Sequence, residues 1–205
     1  MENTFENGLS GRLVSSQKAG DIYESADKKV NVTYGIYDGS YDICKLNWNK
    51  SNMMRPVIAN LGSYSADELT YVRTVTEDND TSMVFSDLFG KMVMSRRIDG
   101  GVNHDTYYVY DLKDSLACVI QPEGSALMPS NMFTFNGDFW QKYCFSYIYD
   151  SRGNMTERHI PGCGAEAMAY DQRNRPVLYA DAMMHLDSTY TVSYTHLTLP
   201  TMAVV

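Results

Sequence analysis

The stretch that decides the fold lies within residues 147–181, where Tyr149-Asp150-Ser151-Arg152-Gly153-Asn154-Met155 is echoed by Tyr170-Asp171-Gln172-Arg173-Asn174-Arg175-Pro176. Tyr-Asp aligns with Tyr-Asp, and the two aspartates stand 21 residues apart. Self-similarity at a fixed period marks a chain assembled from one repeated supersecondary unit. The pattern also lies upstream: Tyr110-Asp111 is followed three places after the Asp by Asp114, and Phe85-Ser86-Asp87 by Gly90. Behind Asp87, Asp111, Asp150 and Asp171 the third residue is therefore Gly90, Asp114, Gly153 and Asn174. These residue types accept a positive φ.

An Asp that opens a turn accepts a hydrogen bond from the backbone two residues on, and a Gly or Asn in fourth place can adopt the left-handed conformation. Together they make the three-residue β-hairpin loop. The repeat aromatics Phe85, Tyr110, Tyr149 and Tyr170 then fall on the strand entering each loop, and apolar residues such as Met92, Leu116 and Met155 on the strand leaving it. A lone hairpin is marginal in water. Units of this kind need neighbours, so the expected fold is all-β, with antiparallel hairpin repeats forming an extended, curved sheet.

Composition agrees. A 44% hydrophobic share over 205 residues is enough for a real core. Sixteen Tyr and seven Phe suit a pleated, half-buried surface. A net charge of −8 argues against nucleic acid as a partner, because phosphate binding needs clustered Lys and Arg. Cys44, Cys118, Cys144 and Cys163 show no zinc or redox spacing. They read as free buried thiols, with two disulfides the alternative in an oxidising compartment. No apolar run approaches the length of a membrane span. The opening Met1-Glu2-Asn3-Thr4 has no signal-peptide pattern, so the protein is cytoplasmic or Met1 is not the true start of its gene.

Taken in order, residues 1–68 form a β-rich region without a clear repeat. Within it, Arg12-Leu13-Val14 and Ile22-Tyr23 suggest short strands. The alternation Val30, Val32, Tyr34, Ile36 predicts a strand that turns at Asp38-Gly39-Ser40 and pairs with residues 42–48. Pro56 assigns residues 53–60 to an edge strand or loop, and residues 61–66 read as turn. Residues 69–191 carry the hairpins. The interval from Asp111 to Asp150 is 39 residues, so the repeat is interrupted at about 122–141, a loop with room for a short helix after Ser130.

The run Tyr107-Tyr108-Val109-Tyr110-Asp111, the run Tyr147-Ile148-Tyr149-Asp150-Ser151-Arg152-Gly153-Asn154, then Ile160-Pro161-Gly162 and Ala169-Tyr170-Asp171 resemble the bacterial RHS family of YD-repeat proteins. The resemblance covers residues 69–181. It implies very large, secreted or cell-surface chains whose repeats wind into a hollow β-shell around a C-terminal toxin or effector, so the partner would be the remainder of the same long chain. Asp114 stands where the family has Gly, Ser86 replaces the Tyr before Asp87, and nothing resembles the family's self-cleaving core.

Residues 192–205 read differently. The codons GTC TCT TAT ACA CAT CTG ACG CTG CCG ACG encode Val192 to Thr201 in order, and that string resembles a transposase adapter used in sequencing libraries. The expectation is an adapter-derived tail beginning near Thr191, with a genuine strand as the alternative because Val192, Tyr194 and His196 alternate.

Catalytic constellations are scarce. His159 and Cys163 are close in sequence, yet no third group orients them. Asp78 and Asp80 lack the Gly and Glu of a calcium loop. The repeat aspartates are each spaced for their own turn, which makes them structural. No catalytic, cofactor-binding or metal-ligating set is expected, and the predicted role is a non-catalytic scaffold. An adhesin presenting its tyrosines to surface glycans is the alternative.

Overall fold

Alternation of apolar and polar residues produces strands wherever a glycine, asparagine or aspartate turn can close them. In a computed structural model, which describes residues 2–8, 10–19, 28–49, 57–128, 132–134 and 137–182, nearly every expected hairpin is present. The strands are β1 (Glu2–Phe5), β2 (Leu13–Gln17), β3 (Val30–Ile36), β4 (Cys44–Asn49), β5 (Val57–Ser63), β6 (Leu69–Val75), β7 (Thr81–Asp87) and β8 (Met92–Asp99). They continue with β9 (Val102–Tyr110), β10 (Leu116–Ile120), β11 (Met132–Thr134), β12 (Cys144–Tyr149), β13 (Met155–Ile160), β14 (Gly164–Tyr170) and β15 (Pro176–Ala180). Two short helices, α1 (Pro122–Ala126) and α2 (Asp138–Tyr143), flank β11. The adapter-like residues 192–205 and the strand expected at Ile22-Tyr23 lie outside the described residues.

The fold is all-β. Twelve strands form one curved, open antiparallel sheet in the order β1-β2-β3-β6-β7-β8-β9-β10-β12-β13-β14-β15, and β11-β5-β4 form a second sheet. Each hairpin from β6 onward sits beside the next, as a repeat array requires.

Three local expectations are corrected. β3 pairs with β6, from Asn31 opposite Val75 to Ile36 opposite Thr70, and not with residues 42–48. Those residues supply β4, which leaves the main sheet to pair with β5. β5 itself is the central strand of its sheet and absorbs Leu61, Gly62 and Ser63, which the sequence assigned to a turn. Pro56 precedes the strand and so costs it no ladder bond. In the interrupted stretch the short helix expected after Ser130 is present as α2, and α1 is an unexpected second one that begins at Pro122, in the position where a missing N–H is harmless.

The second sheet and the helices cover one face of the main sheet. From below, Met83, Phe85, Met94, Tyr107, Val109, Cys118, Ile120 and Cys144 point into this layer. Tyr37, Ile43, Trp48, Ile58 and Trp140 meet them from above, all buried. Each such side chain contributes roughly 1.5–3 kcal/mol relative to exposure. By contrast, β15 is largely exposed, with Val177, Leu178 and Tyr179 open to solvent.

Candidate functional site

The aspartate loops line up along one end of the main sheet. In every one, a single carboxylate oxygen caps two amides. Asp87 Oδ1 accepts from the N–H of Phe89 and of Lys91, both at 2.9 Å. Asp111 Oδ1 accepts from Lys113 and Ser115 at 2.8 Å each. Asp150 serves Arg152 and Asn154 at 2.8 and 2.9 Å, and Asp171 serves Arg173 and Arg175 at 2.8 and 2.9 Å. The fourth residues, Gly90, Asp114, Gly153 and Asn174, take φ of 84°, 64°, 89° and 59°. Their N–H groups donate back to the Asp carbonyls. The eight turn residues thus form four loops of one backbone geometry.

Two features of these hairpins are invisible in the dipeptide pattern. Two places into each returning strand, Val93, Ala117, Thr156 and Val177 are extra residues in the register, so all four hairpins carry a β-bulge. Bulges bend a strand and increase its twist. The loop at residues 76–80 also has the same backbone closure, with Asn79 N–H to Thr76 O at 3.0 Å and Asn79 at φ 66°. It opens with Thr rather than Asp, so it falls outside the Tyr-Asp pattern, although residues 77–80 already read as a turn in the sequence. Its neighbours Asp78 and Asp80 are occupied by Lys28 and Arg97, as a solvated turn would be.

Neighbouring hairpins are fastened together. The Tyr110 hydroxyl donates to Met92 O at 3.0 Å, and the Tyr149 hydroxyl to Leu116 O at 3.0 Å. In both cases the tyrosine reaches the first strand residue after the preceding loop. Tyr170 instead points its hydroxyl at Met168 Sδ, 3.8 Å away. Phe85 occupies the opposite face, because it precedes its Asp by two residues rather than one; it is buried edge-on to Tyr37 at 6.0 Å. The loops also hold each other. Lys91 pairs with Asp114, Lys113 Nζ donates to Ser151 O at 2.9 Å, and Arg152 reaches Asp171 O at 2.8 Å.

A further Tyr-Asp pair, Tyr37-Asp38, sits at this same end. Tyr37 N–H donates to Leu69 O, and Leu69 lies opposite Asp87. Asp38 caps Ser40 N–H at 2.9 Å, and that serine holds its carboxyl below the usual range. Sequence reasoning missed it because Tyr41 occupies the third place, and the chain leaves there on the excursion that builds β4 and β5. The dipeptide itself was the available signal.

No family model and no curated protein sequence matches this chain.

Electrostatics divide the four loops into two kinds. The Asp150 carboxyl is held below its ordinary range first by the Asn154 amide, at 3.0 Å from Oδ2, and Asp171 by the Arg175 backbone N–H together with its guanidinium. Both oxygens of each are thereby used. Asp87 and Asp111 use only Oδ1; among the described residues nothing pairs with Oδ2. Both line a cleft of 210 Å³ between their loops and β4, together with Lys91, Asp114, Asn47 and Tyr64. Burial, followed by the nearby Asp87 charge, raises the Tyr64 hydroxyl above its ordinary pKa.

Cys44 lines this cleft, whereas His159 and Cys163 lie elsewhere and apart from each other. His159 is buried with Nδ1 at 3.0 Å from Cys144 O, while Cys163 sits exposed in the turn beyond β13. All four thiols are free, and burial raises that of Cys118, helped by its contact with Cys144.

Proposed function

We propose that this chain is a length of wall from an RHS-type YD-repeat shell, a non-catalytic scaffold that encloses a C-terminal toxin or effector outside the producing cell. The observation that supports it most is the bonding between hairpins, in which Tyr110 and Tyr149 spend their hydroxyls on the backbone of the preceding unit. A side chain committed to holding its neighbour serves a continuous surface. The same commitment favours a wall over a glycan-binding face, since those hydroxyls are not offered to a ligand. The lysine and arginine links from loop to loop serve the same end.

The test is electron microscopy and limited proteolysis of the full-length gene product. A hollow particle whose C-terminal segment resists protease until the shell is opened is the expected result. A solid particle, or a C-terminal segment cut at once, would overturn the reading.

A further inference from the structure

We propose that the cleft between the Asp87 and Asp111 loops is a docking site for a polypeptide segment that carries a basic side chain next to an apolar one. Independently of the wall reading, the repeat itself supplies the decisive comparison. All four loops share one backbone geometry, and two of them neutralise the second carboxylate oxygen with Asn154 or Arg175. The two that leave it open are the two that line the cleft. Lys91 pairs with Asp114 and also feels the Asp87 charge, so it offsets only one of the three carboxylates that line the cleft. What remains is an excess of two negative charges, a setting that favours a guanidinium or ammonium group through charge and hydrogen bonding. The net charge of −8 adds a long-range attraction for a basic partner.

The tips of the same loops decide between a free cation and a peptide. Leu88, Phe89 and Leu112 are 69%, 89% and 88% exposed, whereas the corresponding tips of the other two loops are Ser151-Arg152 and Gln172-Arg173. Exposed apolar side chains on two loops joined by the Lys91–Asp114 pair mark an interaction surface. A metal ion or small amine would gain nothing from them; an adjoining Leu or Phe of a bound segment would. A sugar is disfavoured because Lys91 already stands 5.9 Å over the Tyr110 ring.

The probe is a fluorescein-labelled peptide with a central Leu-Arg-Phe, titrated against the purified protein by anisotropy and compared with the same peptide bearing citrulline, the uncharged isostere of Arg. Binding is expected to weaken by at least roughly tenfold with citrulline. A similar loss is expected in Asp87→Asn/Asp111→Asn, which keeps both turn caps because Asn retains Oδ1. Phe89→Ser/Leu112→Ser should weaken binding without changing the melting temperature, and Asp171→Asn should leave binding intact. Equal affinity for the citrulline peptide, wild-type affinity in the Asn double variant, or no binding up to ~1 mM would overturn the proposal. So would displacement of the peptide by a neutral oligosaccharide, which would make the cleft a sugar site.

Discussion

At the fourth place of each aspartate loop one residue decides whether the hairpin closes. Gly153 has φ 89°, and a Cβ built there would meet no atom within 4 Å. Space is therefore no obstacle, and only the backbone conformation discriminates among side chains. Val, branched at Cβ, resists that region, so Gly153→Val should cost about 2 kcal/mol in urea denaturation. Gly153→Asn should cost much less, because Asn174 already adopts φ 59° at the equivalent place two strands later. Similar losses for the two variants would mean that packing rather than φ governs the site. The Asp at the first place works differently. Its Oδ1 satisfies two amides that the strands leave unpaired, which explains why the loop recurs with Asp where the backbone alone would permit Thr76.

Between elements, the tyrosine before the Asp is a fastener. Tyr149→Phe removes the bond to Leu116 O while leaving the ring in place, and the expected loss is about 1 kcal/mol. Tyr170→Phe removes only a long contact to a methionine sulfur and should be near neutral. If both variants lose the same stability, the hydroxyl of Tyr149 is not the link between hairpins. This difference between two identical dipeptides also marks how far the sequence could be read. Period and turn chemistry are local, so the loops at Asp87, Asp111, Asp150 and Asp171, and the strands beside them, were legible residue by residue. The bulges at Val93, Ala117, Thr156 and Val177 were not, because nothing in those side chains announces an extra residue in the register. Nor was the partner of β3: a strand cannot declare that its hairpin is interrupted by residues 38–68, and Asp38-Gly39 resembles an ordinary tight turn. The cleft escaped for the same reason, since Asn47 and Tyr64 reach Asp87 only through that excursion.

For the molecule as a whole, the issue is what holds a second layer on an open sheet. The cover is assembled from two distant insertions, joined where β11 pairs with β5, from Met132 opposite Ala59 to Thr134 opposite Val57. Beneath it lies a charged pair. Arg96 and Asp105 face each other across β8 and β9, bonded twice at 2.7 Å, and the guanidinium lies 5.1 Å from the ring centre of Tyr41 in the first insertion. Arg96 is buried, so it depends on Asp105 for its counter-charge. Asp105→Ala would leave that charge under the cover without a partner and should cost about 3–5 kcal/mol. The loss should not be spread evenly. Hydrogen exchange should accelerate in β4 and β5, whose layer rests on the pair, while β14, beyond the covered face, keeps its protection. Replacing both residues together, Arg96→Met with Asp105→Leu, should restore most of the stability, since an apolar pair of similar volume needs no counter-charge. A loss below about 1 kcal/mol for Asp105→Ala would show that the guanidinium reaches water, as exposed ion pairs do, and that the cover is held by its aromatic core alone.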